Sequence, residues 1–353
     1  MHHRRFVKSK FIKIIIVLII TAATHALAVA YLPQDFDEPV YTEVAVDYAR
    51  ALERGDFNAV IDYPEVREHP ALVKLVYGVA IRANGSSDNY SESLQTGRVV
   101  SAIFGIMGTF ILALIDPFAG GLMAIHALVV KYTSQAYLEA IPLAFMILSV
   151  FAFLKTDKRK VNAWFWLSAF ALGAVTAGKF TYTPVLVIVL AYLAFIEKKI
   201  PFRWMAGFGV LAVASFLLLN VTLWHDPFRR IIEALTFHAN YQQGGHVTEV
   251  GFPWYQPFIW LFKETPGDWH GGIFLYDIDP FIAFFAFAGI RREWKERRWL
   301  VVWLAAGLLF LLLWGTKWPQ YVLTIVPAIC LMAAESARRF SNWVSKLSYY
   351  KSV

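Results

Sequence analysis

The sequence predicts an all-α polytopic membrane protein: a helical bundle of about ten transmembrane helices with amphipathic helices in its first external loop. Three observations support this fold class. Of the 353 residues, 58% are hydrophobic and only 17% are charged, whereas soluble domains average about 45–50% apolar and about 25% charged residues. Mean hydropathy is +0.50, and the apolar residues come in long runs, as in membrane spans. Trp and Tyr are concentrated near the ends of those runs, which is typical of membrane interfaces.

Ten apolar segments are long enough, or nearly so, to cross a hydrocarbon core of about 30 Å, which takes about 20 helical residues. They lie near 11–32, 97–115, 117–132, 137–154, 162–178, 182–196, 204–223, 273–290, 299–315 and 319–337. The third and sixth segments are short, and their boundaries are the weakest.

The connecting loops provide an independent test of this topology. If the N-terminus is cytoplasmic, Lys and Arg should be enriched in the even-numbered loops and in the C-terminal tail. Asp116-Pro117 carries no such cluster, but the remaining cytoplasmic segments do: 155–160, 197–203, 291–298 and the tail from Arg338. We therefore expect an integral protein of the cell membrane with both termini in the cytoplasm.

Composition also excludes several classes of protein. The net charge of +7 does not indicate nucleic-acid binding, because the basic residues cluster between apolar runs. Cys330 is the only cysteine, so neither an intrachain disulfide nor a cysteine-based metal site can form. The basic N-terminus and the apolar run from Ile14 are similar to a signal peptide, but many spans follow, which favours a retained signal anchor.

We predict one membrane domain, 1–353, with two long external loops. Its parts are the N-terminal tail and first span (1–32), the first external loop (33–96), spans two to seven (97–223), the second external loop (224–272), and the last three spans with the cytoplasmic tail (273–353). The first loop is acidic, with twelve Asp or Glu against five Lys or Arg. Within it, periodicity predicts helices over 39–54 and 70–82.

These two helices differ in what their apolar faces should contact. Pro39 suits the first turn of the first helix, whose apolar side carries Val40, Val44, Tyr48, Ala51 and Leu52. The second helix is apolar but too short to span, so we expect it to lie along the membrane surface.

Candidate chemical groups begin directly after the first span, at Asp35-Phe36-Asp37-Glu38. A carboxylate here could act as a general base on a hydroxyl or bind a divalent cation; a solvated acidic collar is the structural alternative. Glu68-His69-Pro70 to Lys74 opens the second helix, where free N–H groups suit a phosphate, or where a capped surface helix carries a snorkelling lysine.

Three further charges lie at the ends of predicted spans. Glu139 is a carboxylate inside the fourth span, which indicates function by default, although it could be an interfacial residue paired with Lys131. Lys179 and Lys317 sit at external ends, away from the basic loops, so a lipid phosphate is a plausible partner and ordinary snorkelling the alternative. The second loop adds His246 and several aromatic side chains, without diagnostic metal-ligand spacing.

Taken in order, these motifs resemble the C-type (GT-C) integral membrane glycosyltransferases, particularly the protein O-mannosyltransferase family (glycosyltransferase family 39) and its lipid-A aminoarabinose transferase relatives. The motifs are Phe36-Asp37-Glu38, His69-Pro70-Ala71-Leu72-Val73-Lys74-Leu75, an Arg98-led second span over 97–102, Ala177-Gly178-Lys179, Gly245-His246, Trp254-Tyr255, Lys263-Glu264-Thr265-Pro266 and 317–321. They cover most of the chain. Ala71 departs from the family's second proline, and the chain lacks the large soluble insert and the C-terminal soluble domain of full-length family members.

The resemblance implies an inverting transfer of a sugar, a hexose such as mannose, from a polyprenyl-phosphate donor to a hydroxyl on the non-cytoplasmic side. It implies Asp37 as catalytic base with Glu38 assisting or orienting it, and His69, Lys74, Arg98, Lys179, Lys317 and His246 as donor-binding residues. No cofactor is firmly implied, although a divalent metal near Asp37 or Glu139 is conceivable. The expected partners are the lipid-linked donor, membrane lipids and a protein, lipid or glycan acceptor. The alternatives are a transporter or flippase of lipid-linked sugars, for which no inverted repeat is visible, and a non-catalytic scaffold.

Overall fold

The computed structural model describes residues 2–65, 68–157, 161–198, 200–263 and 277–351. Parts of several predicted features lie outside these residues, namely 158–160 and 199 of the basic loops, the Glu264-Thr265-Pro266 part of one motif, and 273–276 of the eighth predicted span. The described residues are almost entirely helical and contain no strand, so the all-α prediction is confirmed.

The described part of the N-terminal half contains nine α-helices. They are α1 (His2–Tyr31), α2 (Glu38–Glu53), α3 (Phe57–Ile61), α4 (Leu72–Asn84), α5 (Tyr90–Ile115), α6 (Pro117–Ala124), α7 (Ala127–Tyr132), α8 (Ala140–Lys155) and α9 (Ala163–Gly178). Helices α5, α8 and α9 pack in that order, and α1 packs on α5.

The C-terminal half contains nine more in the described residues. They are α10 (Thr183–Ala191), α11 (Phe202–Leu219), α12 (Pro227–Tyr241), α13 (Gly245–Val250), α14 (Gln256–Phe262), α15 (Asp279–Ala288), α16 (Ile290–Glu296), α17 (Arg298–Leu313) and α18 (Val326–Lys351). A 3₁₀ turn precedes α10, a π-helical turn follows it, and the last predicted span opens as a 3₁₀ helix, Pro319–Thr324.

Four helical segments of the described chain are long and apolar enough to cross a membrane. They are Ser9–Tyr31, Tyr90–Ile115, Phe180–Glu197 and Phe202–Leu219. Four of the other predicted spans correspond to shorter apolar helices, Ala140–Lys155, Ala163–Gly178, Asp279–Ala288 and Arg298–Leu313. The bundle is therefore that of an integral membrane protein, with several helices shorter than the sequence predicts.

The third predicted span is broken, contrary to the prediction of one helix over 117–132. It forms α6 and α7, separated at Ile125 and His126. The buried carboxylate of Asp279 accepts hydrogen bonds from the backbone N–H groups of Ala127 (2.9 Å) and Leu128 (3.2 Å), at the start of α7. A break inside a membrane bundle needs such internal partners, because lipid offers none. After the break, α7 continues only to Tyr132, which lines the cavity of the candidate active site.

We call the two predicted external loops the first external segment (Pro33–Asn89) and the second external segment (224–263). The first external segment packs tightly on the bundle. Four of the five residues predicted for the apolar side of α2 are buried, but Val40 is exposed. Helix α4 buries Leu72, Val73, Tyr77 and Ile81, so its apolar face contacts protein rather than the membrane surface, contrary to our expectation for 70–82. Gly78 permits this contact, since a Cβ there would lie 2.8 Å from the carbonyl oxygen of Ala45 on α2.

Candidate active site

A cavity of about 230 Å³ lies where the first external segment meets α7, the second external segment and the start of the last span. Its lining combines two carboxylates with a mostly aromatic wall: Asp35, Phe36, Asp37, Tyr132, Tyr137, Tyr241, His246, Phe252, Trp318, Pro319 and Gln320. Ligand sites commonly combine such an apolar wall with a few polar groups, and those for drug-sized ligands have about 300–1,000 Å³. This volume suits a smaller group, such as one sugar ring.

Asp37, the predicted base, is half-buried in this cavity rather than in bulk solvent. It holds the N-cap position of α2, yet its side chain makes no capping hydrogen bond, so the carboxylate is not committed to the helix. Burial raises the pKa of Asp37 to about 6, with the charge of Lys179 opposing the rise and Glu139 and Asp35 adding to it. A carboxyl with this pKa is ionised at neutral pH and is a stronger base than an ordinary aspartate.

Glu38, the neighbouring residue, is fully buried, and it does not line the cavity. Its two oxygens accept from Arg98 in a bidentate pair, Nε to Oε1 at 2.8 Å and Nη2 to Oε2 at 2.6 Å. They also accept from the backbone N–H groups of Ala136 and Asp35. The structure therefore gives Glu38 four hydrogen bonds that fix the chain on either side of Asp37.

Arg98, predicted to bind the donor phosphate, is occupied by the same network. Besides Glu38, its guanidinium donates to the carbonyl oxygens of Leu32 (2.9 Å) and Pro33 (3.2 Å). These carbonyls end the first span, so Arg98 fixes the point at which the chain leaves α1 and turns toward Asp37.

Two lysine–carboxylate pairs lie close to Asp37. Lys131 on α7 pairs with Asp35 and donates to the amide oxygen of Gln135 at 3.0 Å. Burial would raise the pKa of Asp35, but Lys131 holds it below its usual value. Lys179, at the end of α9, pairs with Glu139. The alternative that paired Glu139 with Lys131 is therefore wrong, because Glu139 pairs with Lys179 and Lys131 pairs with Asp35.

The Glu139–Lys179 pair lies deeper than the Asp35–Lys131 pair. Glu139 is fully buried, and only one of its oxygens, Oε1, contacts Lys179; Oε2 has no hydrogen-bond partner among the described residues. The ammonium group of Lys179 also lies 5.1 Å from the ring centre of Tyr321, within the range of a cation–π contact.

The side chain of Lys74 contacts the backbone of His69 on the approach to α4. The buried Lys74 ammonium donates to the carbonyl oxygen of His69 at 3.0 Å, and burial lowers the pKa of Lys74 to about 8, with Glu68 opposing. The half-buried His69 ring contacts Tyr41 and His238, with ring centres 6.0 and 5.4 Å apart. Burial, with the charge of Lys179, lowers the pKa of His69 well below its usual range, so His69 is neutral at pH 7.

The two late predicted residues have different surroundings. Lys317 donates to the carbonyl oxygens of Leu311, Leu312 and Trp314, so its ammonium group caps the end of α17. His246 instead lines the cavity, where its ring stacks on Trp318 and Phe36 at centroid distances of 5.4 and 5.7 Å. His246 thus joins the two external segments and the start of the last span.

The described residues do not contain a group of three or more His, Cys, Asp or Glu placed to hold a metal ion. In particular, the lysine of the Glu139–Lys179 pair already supplies a positive charge to the one carboxylate oxygen that has a partner. The described residues therefore offer no ligand set for a metal at Asp37 or Glu139.

Sequence reasoning missed much of the wall of this cavity. Lys131 was a visible signal, because a lysine within an apolar segment needs a partner, but it was considered only for Glu139. Tyr132, Tyr137 and Tyr241 belong to no motif, and the cavity brings them together with Asp37 and Gln320 only in the folded chain.

No protein-family model and no curated protein sequence matches this chain. Solved structures do. ArnT from Cupriavidus metallidurans bound to undecaprenyl phosphate has a TM-score of 0.62 and 15% identity, covering 93% of this chain and 60% of that chain. The apo state of the same ArnT has a TM-score of 0.64 and 13% identity, and the match covers 94% of this chain and 61% of that chain. The Archaeoglobus fulgidus oligosaccharyltransferase in complex with Zn and sulfate gives 0.55 and 14%, covering 91% and 49%.

These likenesses show the fold. The chain shares the helical bundle of the ArnT and oligosaccharyltransferase structures, which agrees with the resemblance noted from its motifs at the level of the fold. It spans about 60% of the length of the ArnT structures it matches.

Proposed function

We propose that this protein is an inverting glycosyltransferase that moves a sugar from a polyprenyl-phosphate donor to a hydroxyl acceptor on the non-cytoplasmic side of the membrane. One observation carries the proposal. Asp37 places a carboxylate that is ionised at neutral pH, but more basic than an ordinary aspartate, in a sugar-sized cavity with aromatic walls. General-base catalysis works best when the pKa of the base lies near the operating pH, and aromatic rings offer flat apolar faces to a sugar.

The step assigned to Asp37 is proton removal. The acceptor hydroxyl gives its proton to the Asp37 carboxylate while its oxygen forms a bond to the anomeric carbon. The bond between that carbon and the phosphate oxygen breaks on the opposite face, and the polyprenyl phosphate leaves with the electron pair. Configuration at the anomeric carbon inverts.

The leaving phosphate needs positive charge at the depth of the lipid headgroups. Among the predicted donor-binding residues, we assign this role first to Lys179, whose charge acts on Asp37. Lys74 and the neutral His69 can donate hydrogen bonds nearby. Lys131, which the sequence reasoning did not assign to the donor, is a further candidate because it pairs with Asp35 at the cavity wall.

Glu38, Arg98 and Lys317 become positioning residues in this proposal. Each makes several hydrogen bonds within the chain, and none lines the cavity that contains Asp37. His246 contributes an aromatic face to the cavity. The likeness to ArnT bound to undecaprenyl phosphate supports a polyprenyl-phosphate donor; a hexose such as mannose remains our expectation for the sugar, with a protein, lipid or glycan as acceptor.

The test is Asp37→Asn in proteoliposomes supplied with a polyprenyl-phosphate sugar and candidate acceptors. We expect transfer to fall about 10²–10⁴-fold, the usual contribution of a general base, while binding of the donor persists. Asp88→Asn is the matched control, because its carboxylate belongs to the same segment but its side chain is 97% exposed. Unchanged turnover in Asp37→Asn would remove Asp37 from the mechanism, and donor crossing the membrane without any transfer product would favour a flippase.

The same variant has a built-in check on folding. The pKa of Asp37 is raised from 3.8 to about 6, so the folded state binds more protons than the unfolded state across that interval. Stability therefore falls as the pH rises through about 6. Asn cannot ionise, so Asp37→Asn should melt at pH 7 at the same temperature as the parent protein or higher. Loss of activity with an unchanged or raised melting temperature separates catalysis from misfolding.

A further inference from the structure

Helix α12 (Pro227–Tyr241) of the second external segment has three distinct faces. Residues spaced i, i+4, i+7 and i+11 share one side of a helix. Three interleaved sets with this kind of spacing run along α12, and each has a different chemistry. We call them the protein face, the apolar stripe and the polar stripe.

The protein face fastens α12 to the first external segment. Arg230 is buried and donates to the carbonyl oxygen of Ile61 and to the carboxylate of Asp62. Ala234 is buried one turn later. The ring of His238 is within hydrogen-bond distance of the Glu68 carbonyl oxygen, 3.2 Å away. This face fixes the rotation of the helix about its own axis.

The apolar stripe consists of Phe228, Ile232, Leu235 and Ala239, and all four are exposed. The three large side chains are 82%, 63% and 62% exposed. The polar stripe consists of Arg229, Glu233, Thr236 and Asn240, also exposed, and within it Arg229 pairs with Glu233 at 3.0 Å. Water solvates the polar stripe, whereas three large aliphatic or aromatic side chains in a row are unfavourable there.

The apolar stripe begins where a membrane-facing surface ends. Helix α11 is a candidate span, and only 17% of its apolar window is buried inside the protein, so most of it faces lipid. Leu217 and Leu218 near its external end are exposed, as is Trp224. The Trp224 indole N–H donates to the carbonyl oxygen of Leu217 at 2.9 Å, which holds the ring at the end of the span. Trp at this depth marks the membrane interface.

We infer that α12 lies in the external interface of the bilayer, with its apolar stripe among the lipid acyl chains and its polar stripe in water. An amphipathic helix of this kind buries its apolar face about 5–10 Å into the boundary between headgroups and acyl chains. The C-terminal turn of α12 carries His238, which contacts His69, and Tyr241, which lines the cavity. The bilayer therefore sets the depth of one wall of the candidate active site.

The depth of each stripe can be measured without any enzymatic assay. Single cysteines are introduced as Ile232→Cys and Leu235→Cys on the apolar stripe, with Glu233→Cys and Thr236→Cys as controls on the polar stripe. Cys330 is buried, so the parent protein reports background labelling. Each variant is labelled with an environment-sensitive fluorophore in nanodiscs and quenched by lipids with a nitroxide near the headgroup, or by iodide in water.

We expect lipid nitroxides to quench positions 232 and 235 at least severalfold more than positions 233 and 236, and iodide to give the reverse order. Equal iodide quenching of both stripes would overturn the inference. So would protection of 232 and 235 from both quenchers, which would indicate a protein partner instead of lipid.

A second arm asks what the embedding does, and it rests on the proposed function. A charge placed near the membrane interface weakens insertion modestly, so Ile232→Asp should raise KM for a full-length polyprenyl donor by about fivefold with little change in kcat. Thr236→Asp should leave both unchanged. If the parent protein and both variants transfer no sugar, the proposed function fails, while the quenching result still decides the position of α12.

Discussion

The two external segments of this protein differ in the side chains that decide their positions. The first segment, from Pro33 to Asn89, directs key charges inward: Glu38 and Asp35 are bonded to Arg98 and Lys131 of the bundle. The second segment, over 224–263, leaves many of its apolar side chains exposed. A buried ion pair fixes geometry, because few arrangements satisfy every charge, whereas an exposed apolar stripe adapts to a fluid surface. The first segment therefore positions the candidate chemistry, and the second connects it to the membrane.

One of the contacts between the segments lies at the wall of the cavity. The ring of His246 from the second segment lies between Phe36 of the first segment and Trp318 at the start of the last span. All three rings line the cavity that contains Asp37. This contact is where the comparison between the segments can be tested most directly.

The largest effect on stability should come from Arg98. Arg98→Met leaves Glu38 as an unpaired buried charge, so we expect a loss of about 3–5 kcal/mol in the free energy of unfolding, measured by denaturant titration in detergent micelles. Arg50→Met in the first external segment is the matched control, since the Arg50–Asp88 pair is 3.7 Å long and its Asp88 side chain is 97% exposed. Exposed pairs contribute at most about 1 kcal/mol. Similar losses in both variants would contradict the view that the first segment is held by its buried charges.

The pH dependence of transfer should follow Asp37. Its pKa is about 6, and only the ionised form can accept a proton, so activity should rise with pH and level off above about 7. We expect kcat/KM to be about tenfold lower at pH 5 than at pH 7, because the ionised fraction of Asp37 falls by that factor. The residual activity of Asp37→Asn should lack this limb. A flat profile between pH 5 and 7 in the parent protein would be incompatible with Asp37 as the base.

The smallest effect should come from the stack of His246 on Phe36 and Trp318. Aromatic pairs contribute about 0.5–1.5 kcal/mol beyond their buried area, so His246→Ala should raise KM by about two- to tenfold while kcat stays within about twofold. His246→Phe keeps a ring between Phe36 and Trp318 and should restore most of the affinity. If His246→Phe is as impaired as His246→Ala, the imidazole itself, rather than the stack, matters for binding.

Much of the fold follows from the sequence because membrane spans are encoded by local composition. Apolar runs predicted most of the helices of the bundle, and Pro39 predicted the start of α2 within one residue. The ordered motifs include Asp37 and His246, and both line the cavity; their roles stay predictions. Breaks were harder to predict. The division of 117–132 into two helices depends on Asp279, which lies more than 150 residues further along the chain.

The sequence by itself determined that this chain is a bundle of apolar helices with an acidic external segment, because hydropathy and charge act locally. Only the tertiary structure decided which charges are available for chemistry. Glu38, Arg98 and Lys317 look like site residues in the sequence. In the structure, Glu38 and Arg98 pair with each other, and Lys317 donates to three carbonyl oxygens at the end of a helix. Lys131, by contrast, pairs with Asp35 at the wall of the cavity. A charged side chain in a low-dielectric interior binds whichever opposite group the fold brings within reach, and that choice is made by packing across the whole chain.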